Sequence, residues 1–172
     1  MTGTVRTSVA ACMLALGLPL FSFPSIAQVM GDKAELGRLQ AKAEDAIAND
    51  DPDGAAMMMG RAALLAAQLA KKQEGFGEQV FTGSAALFRS QEHTYRAVAL
   101  FRRAGGQLPA SSGVCGSLAL AQTNLGHALD VVATPSTPPP ASHLIEDATH
   151  LHESAENWNT VIESMITEYQ CP

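Results

Sequence analysis

Near the C-terminus, two imidazoles and a carboxylate recur at helical intervals. His143, Asp147 and His150 are four and three residues apart, so any helix containing them carries all three on one face. Ring nitrogens and carboxylate oxygens so arranged are the ligand types of a divalent metal. Glu146 and Glu153 flank His150 at the same intervals and His152 lies nearby. These residues read more simply as the solvated, acidic face of an amphipathic helix. The thioethers of Met57, Met58 and Met59 are soft enough for Cu(I). Adjacent helical residues point about 100° apart, however, so the three cannot converge on one ion, and packing is the better account. Cys115 has distant candidate bases in His93 and His127, but a thiol with a second thiol in the same chain, Cys171, is expected to be structural. No phosphate-cradling glycine loop, nucleophile elbow, zinc-protease helix or haem-attachment pair occurs. The residues therefore predict no enzyme and no cofactor.

The elements that hold these residues follow from the composition. The chain has 172 residues, 47% hydrophobic and 16% charged, enough for one domain with a substantial core. Aromatic residues make up only 5%, so Ala and Leu dominate the apolar content and favour helix. A net charge of -6 and a pI near 5.3 argue against nucleic acid as a partner. Arg6, an apolar run from Val9 to Phe21, and small Ser25 and Ala27 predict a signal peptide over residues 1–27, cleaved before Gln28. That apolar run is about 13 residues, short of the roughly 20 that span a bilayer, so no stable membrane span is expected after cleavage. Cys12 precedes the apolar stretch instead of following it, which excludes lipidation. The expected location is exported, periplasmic or secreted. Cys115 and Cys171 then remain as an even pair in an oxidising compartment and are expected to be bridged.

Helical periodicity is almost continuous from Lys33 to Ala133. It predicts helices over 34–48, 54–73, 78–90, 95–104 and 113–132, with a short turn over Gln91 to Thr94. Pro135, Pro138, Pro139 and Pro140 predict an extended connector over 134–141. The last segment, 142–172, carries Leu144, Ala148, Leu151, Ala155, Trp158, Ile162, Met165 and Tyr169 in alternating steps of four and three. That stripe is one apolar face of a long helix, which must dock on something.

Phe81, Ala85, Phe88, Ala97, Phe101, Ala104 and Pro109 have the types and spacing of a two-helix unit of the tetratricopeptide family, which this stretch resembles. Ala56, Gly60 and Ala63 before it, and Cys115, Leu118 and Ala119 after it, keep part of the pattern. The resemblance implies an all-α fold: antiparallel helical hairpins over 28–133 stacked as a short solenoid, capped by a long C-terminal helix. It also implies a concave groove that binds a peptide or partner protein. Carried over by register, the groove residues are Arg38, Asp45 and Asn49, then Gln79, Thr82, Ala86 and Arg89, then Leu120, Thr123 and Asn124. A small-ligand or metal-binding bundle and a structural envelope component without a groove are the alternatives.

Overall fold

The computed structural model describes residues 26–133 and 141–172, and these form five α-helices. They are α1 (Ile26–Ala48), α2 (Pro52–Ala70), α3 (Phe76–Arg103), α4 (Ser112–Ala133) and α5 (Ser142–Glu168). The fold is all-α, as expected. Residues 1–25 of the expected signal peptide and 134–140 of the connector lie outside the described residues. No helix among the described residues is long and apolar enough to cross a membrane.

Local chemistry sets the boundaries. Asp50 takes a left-handed φ of 62° at the end of α1, a conformation its short polar side chain tolerates. The Asp51 carboxylate then accepts from the Gly54 amide at 2.8 Å, and Pro52 occupies the first turn of α2. Gly75, at φ 60°, starts α3, and the consecutive left-handed Gly105 and Gly106 end it.

The turn expected over Gln91 to Thr94 does not form: α3 is one unbroken helix of 28 residues. No Gly or Pro interrupts this stretch, and its polar residues are packed instead of solvated. Ser90, Gln91, Glu92 and Thr94 are all buried. The Thr94 hydroxyl donates to the Ser90 carbonyl at 2.9 Å. Arg89 and Arg96 donate to the two Glu92 oxygens at 2.5 and 2.6 Å, from positions three before and four after it. Phe81, Phe88, Ala97 and Phe101 consequently lie along one helix and not across a hairpin.

Short connections make successive helices antiparallel, and α3 is the hub, packed on α2, α4 and α5. Helix α1 packs on α2. Between α1 and α3 the core is alanine-rich: Ala55, Ala62 and Ala66 of α2 are fully buried with Leu36, Leu39, Phe81 and Phe88. Small side chains let helix axes approach, while the phenylalanines fill the space beside them. On the other side of α3, Ala86 and Leu87 share a core with Ala121, Leu125 and Ala128 of α4 and with Leu151, Ala155 and Ile162 of α5. The apolar stripe of α5 therefore docks within its own chain. Trp158 meets Tyr95 edge-on at 5.6 Å, and Tyr169 stacks on Phe101 at 4.1 Å. The Cys115–Cys171 disulfide, Cα to Cα 5.4 Å, closes a segment of 56 residues and pins the end of α5 to the start of α4.

Candidate functional site

Helices α1, α3 and α5 alternate with α2 and α4 along the chain, and a cleft of about 280 Å³ lies among them. Each contributes one face at the i, i+3/i+4, i+7 spacing. Helix α1 supplies Lys33, Leu36, Gly37 and Gln40; α5 supplies Asp147, His150, Leu151 and Ser154. The floor is α3, through Val80, Phe81, Ser84, Leu87 and Phe88. No Cα of α1 lies within 8 Å of one in α3 or α5, so α1 stands off and side chains alone bridge to it.

The floor is apolar and the rim polar. Phe81 and Phe88 are buried, and Ser84 turns its hydroxyl inward to the Val80 carbonyl at 2.8 Å. Across the cleft, Lys33 Nζ meets Asp147 Oδ2 at 2.6 Å and lies 5.9 Å from the centre of the Phe81 ring. Both partners of this pair are about a third exposed, so its net worth is at most about 1 kcal/mol. Gly37 leaves the α1 wall bare, because an added Cβ there would meet nothing within 4 Å. A glycine inside a helix costs about 0.5–1 kcal/mol relative to alanine, and no packing contact explains this one.

The residues expected to line a groove lie elsewhere. Ala86 is a correction: it is buried in the α3–α4–α5 core and offers no surface to a partner. Arg38 is exposed and paired with Glu35 at 3.4 Å. Asp45 and Asn49 are exposed at the far end of α1, where the Asn49 amide donates to the Asp45 carbonyl. Gln79 is half-buried with its Oε1 buried and unpartnered, Thr82 is half-buried, and Arg89 holds Glu92. Leu120, Thr123 and Asn124 lie on α4, in the other layer; Thr123 and Asn124 donate to carbonyls one turn back. None of these lines the cleft. The face of α3 turned to the cleft is 80–81, 84 and 87–88, next to the face carrying Gln79, Thr82, Ala86 and Arg89. Phe81 and Phe88, expected from their spacing as packing residues, lie on the cleft face.

The metal and thiol candidates also have definite places. Asp147 is held by Lys33, His143 is exposed, and the His150 side chain is 83% exposed with only a 3.9 Å approach to Glu153. Among the described residues, no three His, Cys, Asp or Glu side chains are grouped to hold a metal. Met57 is exposed, Met58 half-buried and Met59 buried, so the three thioethers diverge. Cys115 is oxidised to Cys171 and is no free nucleophile.

Beside the Arg–Glu–Arg clamp, His93 is held below its ordinary pKa, chiefly because burial disfavours the charged ring. Arg96 and Arg89 reinforce that shift and Glu92 opposes it. Its Nδ1 is buried without a hydrogen-bond partner.

Compared with protein-family models, curated proteins and solved structures, the chain matches none.

Proposed function

We propose that the protein is an exported interaction module that grips a segment of a partner polypeptide in the α1/α3/α5 cleft. The observation carrying this reading is the convergence of three regularly spaced helix faces on one cleft with an apolar floor and a polar rim. Leu36, Phe81, Leu87 and Phe88 supply a surface for one apolar anchor side chain. Gln40, His150 and the Lys33–Asp147 pair surround it with groups that hydrogen-bond a peptide backbone. The bare backbone at Gly37 lets a ligand approach the wall closely. Alternate helices lining a common face is the arrangement that the tetratricopeptide resemblance implies, although different residues line it here. The disulfide supports export, because such bonds persist in oxidising compartments.

Site-specific photocrosslinking tests the reading. A photoreactive amino acid at Gly37 or Gln40 should trap a partner polypeptide in the producing cell, and one at Thr123 should not. Gly37→Trp, whose Cβ has open space and whose ring would occupy the cleft, should compete with capture from Gln40, with the helical circular dichroism checking that the fold is kept. Trapping at Thr123 alone, or capture unaffected by Gly37→Trp, would overturn it.

A further inference from the structure

Independently of the cleft, a second surface carries its own signature. Along α2 and α3 runs a groove lined by Asp53, Met57, Gly60, Arg61 and Leu64 on one side and Arg89, Glu92 and Arg96 on the other, with Asp53 held by Arg103. Met57 and Leu64 are 58% and 55% exposed, an unusual placement for large apolar side chains beside arginines. Glu92 neutralises only one of the three guanidinium charges of Arg61, Arg89 and Arg96. Its side chain is only 10% exposed, its two oxygens are divided between Arg89 and Arg96, and Gly60 leaves room for its carboxylate, since a Cβ there would come within 3.1 Å. Arg61 is exposed and has no acidic partner among the described residues. The groove therefore presents guanidinium charge next to apolar surface, on a chain whose net charge is strongly negative.

The complementary surface is on the same molecule. Helix α5 contains Glu146, Asp147, Glu153, Glu156, Glu163 and Glu168 and no lysine or arginine. Glu146 and Glu153 are exposed and seven residues apart; the half-buried Arg89 and the exposed Arg96 have the same spacing, so both pairs are separated by about 10 Å of helix rise. Ile145 and Val161, 49% and 44% exposed, give α5 apolar contacts to set against Met57 and Leu64.

We infer that the α2/α3 groove docks the acidic outer face of α5 from a second copy of this chain. Unlike faces meet in such a contact, so each copy offers one donor face and one acceptor face. Opposite charge steers the encounter, and the exposed apolar residues hold it.

The test is the mass of the purified protein by light scattering across a concentration series. Two charge-altered variants accompany the wild type: a groove variant, Arg61→Glu with Leu64→Glu, and an α5 variant, Glu146→Arg with Glu153→Arg. All four positions are exposed, and the Arg89–Glu92–Arg96 clamp is left intact. Wild type should associate at low ionic strength and dissociate at about 0.5 M salt, where screening is nearly complete beyond a few ångströms. Each variant alone should weaken association on the order of a hundredfold, since like charges then face one another. An equimolar mixture of the two variants should associate again, because it restores one native contact and creates one reversed contact. A wild type that stays monomeric throughout overturns the inference. So do variants that associate as wild type does, which would point to another surface, and a mixture that stays monomeric.

Discussion

The two walls of the cleft are held by different means. Helix α5 is docked along its length: Leu151, Ala155 and Ile162 are buried against α3 and α4, and Tyr169 is stacked on Phe101. Its end is further tied by the disulfide and by the Ala110 amide donating to the Tyr169 carbonyl at 2.9 Å. Helix α1 packs closely only on α2, through Leu36, Leu39 and Ala43, and reaches across to α5 through the Lys33–Asp147 pair. Of the two walls, the lightly held α1 is the one that moves at lower cost. The cost of that motion is set by few contacts, as for other locally opening elements.

The largest expected effect tests the stapled wall. Cys171→Ser should lower unfolding stability by about 2–5 kcal/mol, read as a shift of the urea midpoint. The loss should appear as faster amide exchange throughout α5, with α1 following only through global unfolding. On the other wall, Leu39→Ala removes a nearly fully buried side chain and should cost about 2–5 kcal/mol, with the excess exchange confined to α1. Equal acceleration of both helices in either variant would show that the walls open as one unit.

This asymmetry was only half legible in the sequence. The stripe from Leu144 to Tyr169 announced α5, its docking face and, with the two cysteines, its staple, because a period of 3.6 is a strong local signal. The break expected at Gln91–Thr94 failed for a tertiary reason. Polar side chains read as a solvated turn, whereas here they are buried, and Glu92 is satisfied by arginines one turn away on each side. The break mattered for the resemblance, because a two-helix unit needs a turn between its helices and α3 has none. Nor did any local pattern indicate that α1 stands off from α3 and leaves a cleft; that distance is set by how leucine, phenylalanine and alanine volumes combine across three helices.

A change that acts on the shared helix separates local from global loosening. His93 lies on α3, and its folded pKa is below the ordinary 6.5, so the unfolded chain takes up the proton at higher pH than the native one. The stabilisation tied to its neutral form is therefore complete above about pH 6.5 and is lost as pH falls through the folded pKa. In wild type the urea midpoint should drop on acidification over this range, and His93→Gln should flatten the drop. If the slope is unchanged in His93→Gln, the acid sensitivity belongs to other groups.

The smallest expected change in stability concerns the Lys33–Asp147 pair, the one polar tie between the walls among the described residues. Lys33→Met keeps the aliphatic stem over Phe81 and removes the ammonium from Asp147. Because the pair is partly exposed, the midpoint should move by less than about 1 kcal/mol. Exchange near the start of α1 should nevertheless rise while α5 stays protected, since no backbone of α1 approaches α5 closely enough to substitute for the lost pair. Asp147→Asn should reproduce that pattern from the opposite wall, because it removes the same attraction without removing any packing of α5. If the two variants loosened different helices, the pair would not be what joins the walls, and α1 would owe its position to the shared leucine and phenylalanine core and to the Lys72–Asp32 pair at 3.1 Å.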